Sequence, residues 1–149
     1  GGGLRVQSLH YTNILLEHTT TISIEASNRR LLAVRVPTSA AFVFNKGLTF
    51  AERKTPLKKA KDLYYIFDIL ANCPELRERI IKGLNGFERE YASWFSSFIR
   101  NLQRNFADLT ADGILMISGQ RPAGAFPKMT EEQYKQYVLG IFQQLIEEL

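Results

Sequence analysis

The stretch Thr19-Thr-Thr-Ile-Ser-Ile-Glu-Ala-Ser-Asn-Arg-Arg-Leu-Leu-Ala-Val-Arg-Val-Pro-Thr-Ser-Ala-Ala-Phe-Val-Phe-Asn-Lys46 decides the fold. Its first seven residues, Thr19 to Glu25, alternate and are rich in β-branched side chains, which suit a pleated strand. Ala26-Ser-Asn-Arg29 carries turn chemistry, and Leu31 to Val36 is strand-like again, so the pattern predicts an antiparallel hairpin. Pro37 has no N–H to give a sheet and ends the second strand. Thr38 or Ser39 then caps a helix running to about Ala51. Its residues Ala40, Ala41, Phe42, Val43, Phe44, Leu48 and Phe50 leave almost no polar face, so it must be buried nearly all round.

Working outward, Ser8 to His18 has near-helical spacing, with Ser8 as a possible N-cap. After the hairpin unit, a helix is expected from Pro56 to about Ala71, with Leu57, Ala60, Leu63, Tyr64, Phe67 and Leu70 as its buried stripe. Cys73-Pro74 opens another, Glu75 to Leu84, which Asn85-Gly86 is expected to stop. Phe87, Tyr91, Trp94, Phe95, Phe98, Leu102 and Phe106 then mark one long helix with a continuous aromatic core face. Residues 107–129 mix Gly, Pro and Ala around Ile114-Leu-Met-Ile117, which predicts a short helix or strand inside a long connection. Thr130-Glu-Glu-Gln133 has the form of a capping box, opening a closing amphipathic helix. The expected fold is therefore α+β: a short antiparallel β-hairpin or small sheet followed by a predominantly α-helical bundle. No internal repeat is visible.

The chain has 149 residues, 45% hydrophobic, enough to bury a real core and too apolar to be disordered as a whole. Its single cysteine, Cys73, excludes an intrachain disulfide framework and a cysteine metal cluster, so the expected setting is reducing and cytoplasmic. No apolar run is long enough to suggest a membrane span. Gly1-Gly2-Gly3 with no initiator Met leads us to expect a fragment of a longer protein, although a flexible linker or cloning remnant has the same appearance.

Charge is unevenly placed. Residues 1–75 carry ten Lys/Arg against six Asp/Glu, so the whole net charge of +4 lies there; residues 76–149 carry nine of each. Between Lys46 and Lys61 there are six cations and one acid, Glu52, a pattern that attracts phosphate-bearing ligands or else forms a solvated helix face. Lys46 follows Val43 by three residues and Phe42 by four, so its ammonium emerges from an apolar face. It must snorkel to water, pair with a carboxylate or bind an anion. Asp62, two turns into the following helix, is the candidate partner of Lys46 or Arg53. Lys58 is also four residues before it, in the weaker orientation for a helical pair.

The run from Leu31 to Leu48, with Arg53 and Lys58-Lys-Ala-Lys-Asp62-Leu-Tyr-Tyr-Ile66, resembles the second half of bacterial and archaeal nucleotidyltransferase-fold proteins. In those proteins a strand ending in valine-proline leads into a helix with a His-Lys-Leu or similar triplet, then an arginine and a Lys/Arg-Asp pair opening a further helix. The similarity covers about residues 4 to 71. It implies the polymerase-beta-like fold, shared by abortive-infection toxins of toxin-antitoxin type and by transferases acting on small molecules or RNA ends. It also implies that residues 1–71 are the C-terminal half of a nucleotidyltransferase-like domain, followed by a helical subdomain over 72–149.

By the same resemblance, Lys46 matches a lysine near the nucleotide phosphates and Asp62 the acid of the Lys/Arg-Asp pair, with Arg53 and Lys61 as weaker matches. These four are the candidate nucleotide-binding residues. Tyr65 stands where many relatives carry a second Asp, and Gly47 where Leu is usual. The family's catalytic Asp-x-Asp pair is absent from these residues, so no catalytic or metal-binding residue is assigned. Mg2+ and a nucleoside triphosphate are expected only of a full-length protein. The alternative is a non-catalytic module of the same fold recognising RNA or a partner protein. His10, His18 and Cys73 show no catalytic setting in the sequence.

Overall fold

The structure is a computed structural model that describes residues 11–149. The expected Ser8 N-cap, and the other expectations for residues 1–10, lie outside the described residues. The first described helix, α1, covers 11–17 and passes directly into the hairpin. Strands β1 (Thr19–Glu25) and β2 (Leu31–Pro37) pair antiparallel with Ile22 opposite Val34 and Ile24 opposite Leu32. The tip turns through Ala26 to Arg30, where Arg29 takes φ 60° and Asn28 Oδ1 accepts from the Arg30 amide. The base is closed by the Thr38 amide donating to His18 O at 2.9 Å.

Helices α2 (Ser39–Thr49), α3 (Pro56–Asn72), α4 (Arg77–Glu90), α5 (Ala92–Asn105), α6 (Asp112–Gly119) and α7 (Glu131–Glu147) follow. The architecture is thus α+β, a two-stranded sheet on a helical bundle. Thr38 caps α2 by accepting from the Ala41 amide, Thr55 caps α3 with Pro56 at its first position, and Thr130 and Gln133 form the complete capping box of α7. Among the described residues no helix is long and apolar enough to cross a membrane.

As its composition requires, α2 lies at the centre, with Ala40, Ala41, Val43, Phe44 and Leu48 buried. Phe44 stacks on Phe87 and meets the edge of Phe98 at 5.2 Å. Two glycines allow the neighbouring helices to approach closely. A Cβ at Gly47 would stand 2.3 Å from the Phe98 ring, and one at Gly83 would stand 2.4 Å from Ala40 Cβ. The leucine usual at position 47 in the nucleotidyltransferase pattern therefore has no room here.

Several boundaries differ from the sequence reading. Asn85-Gly86 does not stop α4, which continues to Glu90. Leu84 and Phe87 keep its buried stripe going past Gly86, and the Asn85 side chain reaches Glu148 O instead of supporting a left-handed cap. The break comes at Tyr91 (φ −131°, ψ 53°), so the expected single aromatic helix begins only at Ala92. On α3, Leu57 is exposed and Ile66 is fully buried, which rotates the core face from the expected stripe toward Asp62. Ile114 to Ile117 is helical, as part of α6.

The hairpin carries its apolar residues differently from the bundle. The strand pairing places Ile22, Ile24, Leu32 and Val34 on one face, and the first three remain 41%, 46% and 51% exposed.

Candidate functional site

Three of the four candidate residues converge. Helix α2 supplies Lys46, the short turn Phe50–Glu52 delivers Arg53, and α3 presents Asp62 from its second turn. Lys46 Nζ donates to Asp62 Oδ1 at 3.1 Å and Arg53 Nε to Asp62 Oδ2 at 2.7 Å. Asp62 is 4% exposed, so one buried carboxylate is shared by two cations with each oxygen engaged. Lys58 is not its partner. Lys46 Nζ also lies 5.7 Å from the ring centroids of both Phe42 and Tyr65. Of the three outlets open to Lys46, pairing is the one realised, and Tyr65 gives it an aromatic face. Lys61 points elsewhere: it is exposed and belongs neither to the triad nor to the cleft beside it.

That cleft has a volume of about 420 Å³ and lies between α1, α2 and the start of α3. Lys46, Arg53, Lys54 and Lys58 line it against one acid, Glu52. Asn45 Nδ2 donates to Tyr11 O at 3.0 Å and ties α1 to the rim. Two polar atoms in the lining, Thr49 Oγ1 and Glu52 Oε2, are buried without a hydrogen-bond partner among the described residues. Burial pushes the Glu52 carboxyl above the usual carboxylate range. The cleft thus offers cations for an anion and, at Glu52 and Thr49, acceptors for a donor group on the same molecule. With both oxygens occupied, Asp62 is no free base; it positions the Lys46 and Arg53 head groups.

Sequence reasoning passed over Glu52, Thr49 and Lys54 as individual ligands. The charge run contained Glu52 and Lys54, but only the turn after α2 brings all three into the cleft. It also passed over a second cavity, of about 540 Å³, lined by His18, Glu90, Arg79, Lys82 and the start of α2. His18 and Glu90 lie 72 positions apart, and no local pattern could have paired them. In comparison with known proteins, the chain matches no family model, no curated protein and no solved structure.

Proposed function

We propose that this chain binds a nucleotide in the cleft between α1, α2 and α3, with Lys54 and Lys58 supplementing Lys46 and Arg53 at the phosphates. The observation that carries this reading is the pairing, in one cleft, of four cations with the acceptors of Glu52 and Thr49, which are without a partner among the described residues. An inorganic anion satisfies only the cations. A nucleotide also brings hydroxyl and amino donors for Glu52 and Thr49. The four cations surround one concavity rather than running along a stripe, which favours a compact phosphate cluster over a nucleic-acid backbone. The role is binding, because Asp62 is spent on holding two of the cations. The cleft lining offers one further carboxyl, Glu52, where metal-dependent transferase chemistry uses a pair.

The test is calorimetric titration with ATP, GTP and pyrophosphate, with and without Mg2+. Lys46→Ala alone is a poor discriminator, since it also opens the buried ion triad. Lys54 and Lys58 are exposed and outside that triad, so the double charge reversal Lys54→Glu/Lys58→Glu should leave the melting temperature within about 2 °C and weaken ATP at least roughly tenfold, ~1.4 kcal/mol. ATP should bind more tightly than pyrophosphate. Affinity unchanged by the double reversal, or no binding at millimolar nucleotide, would sink the proposal.

A further inference from the structure

We propose that Glu17, His18 and Glu90 form a divalent transition-metal site at the rim of the second cavity, independent of the nucleotide cleft. One ligand atom from each of the three lies within 4.8 Å of the others. His18 is held before any ion arrives. Its amide donates to Ile14 O at 3.1 Å, its carbonyl accepts from Thr38 at 2.9 Å, and its ring meets the edge of Phe87 at 4.8 Å. Nε2 faces Glu90 Oε1 at 3.1 Å and the Tyr91 hydroxyl oxygen at 3.2 Å, while that hydroxyl donates to Glu17 Oε2 at 2.5 Å.

One imidazole nitrogen and two carboxylate oxygens therefore lie within reach of a single ion, which can engage all three at once while the Tyr91 hydroxyl keeps its bond to Glu17. Donor atoms around a tetrahedral ion with bonds of about 2.1 Å stand ~3.4 Å apart. Torsion of the exposed Glu17 and Glu90 side chains closes that gap. The ion takes Nε2, leaving the imidazole proton on Nδ1, and Tyr91 stays behind as the hydrogen-bond donor that orients a ligating carboxylate.

The α4–α5 break has a use in this arrangement. It occurs at Tyr91, and neither Tyr91 nor any of Ala92, Ser93 and Trp94 is Gly or Pro. A continuous helix turns adjacent side chains about 100° apart. The break instead lets Glu90 and Tyr91 reach the same nitrogen. Three protein ligands leave a coordination position for water or a small molecule, and His18 and Glu90 both line the 540 Å³ cavity where that molecule would sit. One imidazole with two carboxylates suits Zn2+ or Co2+ ahead of Mg2+ or Ca2+.

The experiment is titration of the full chain with Zn2+ by calorimetry and with Co2+ by visible absorption, in a Cys73→Ser background so that the lone thiol contributes nothing. We expect one equivalent bound, undisturbed by millimolar Mg2+, with loss of at least about 100-fold in His18→Ala and at least about tenfold in Glu90→Gln. Tyr91→Phe should cost about tenfold, and His10→Ala should change nothing. Absence of one-equivalent binding, binding that survives Glu90→Gln undiminished, or binding abolished by His10→Ala would overturn the proposal. Should His18→Ala fail to fold, Glu90→Gln and Tyr91→Phe decide.

Discussion

Glu52 shows how one residue can be at odds with a cationic neighbourhood. Four cations share its cleft, yet its Oε2 is buried without a partner among the described residues, and burial raises its carboxyl above the usual range. An acid whose pKa is raised by folding holds its proton more tightly in the folded state. The penalty is absent below the unfolded pKa of about 4.3 and grows as pH rises toward the folded value, so Glu52 costs the free protein stability at neutral pH. Glu52→Gln should therefore raise stability in urea unfolding at pH 7, with the gain shrinking toward zero near pH 4. An equal gain at both pH values, or a loss at pH 7, would show that the neighbouring cations already compensate the charge. Asp62 is the contrasting case: equally unusual in sequence, it is fully satisfied by Lys46 and Arg53. The sequence made this pairing legible because Lys46, Arg53 and Asp62 fall within two consecutive helices and their turn.

At the level of elements, the hairpin and the bundle rest on different physics. Each helix from α2 to α7 buries a stripe, whereas the hairpin leaves Ile22, Ile24 and Leu32 half-exposed and depends on its own ladder and tip. A two-stranded sheet is marginal by itself. At the tip Arg29 occupies the left-handed region at φ 60°, a conformation that costs a side-chain-bearing residue about 1 kcal/mol or more. Arg29→Gly relieves it, partly offset by the greater freedom of glycine in the unfolded chain. The net gain should be about 0.5–1 kcal/mol, read as roughly two- to fivefold slower hydrogen exchange at the Ala26 amide, which donates to Arg30 O across the turn. Unchanged or faster exchange would mean the tip is not strained. The helix ends teach a related lesson. Asn85-Gly86 carries a stop signal that packing of Leu84 and Phe87 overrides, and Tyr91, with no stop signal at all, ends the helix between Phe87, Trp94 and His18.

Across the whole molecule, buried residues from α2 through α7 form one continuous cluster, with members on both sides of residue 71. Phe142 of α7 stacks on Phe106 at 3.6 Å and is fully buried. Phe142→Ala should cost about 3–5 kcal/mol. Because the cluster is continuous, Trp94 fluorescence and far-ultraviolet circular dichroism should shift together in a single transition; two separated transitions would show that residues 1–71 and 72–149 unfold as independent units. The sequence by itself determined the hairpin, the helix starts capped at Thr38 and Thr130, the burial of α2 and the proximity of Lys46, Arg53 and Asp62. All of these follow from short-range periodicity, turn chemistry and charge within a few turns of chain. Only the tertiary structure decided that Asp62 is shared by two cations, that Glu52 and Thr49 face a cleft with no partner among the described residues, that α4 breaks at Tyr91, and that Glu17 and His18 meet Glu90. Those outcomes depend on which surfaces pack together across long sequence separations, and a local pattern carries no record of them.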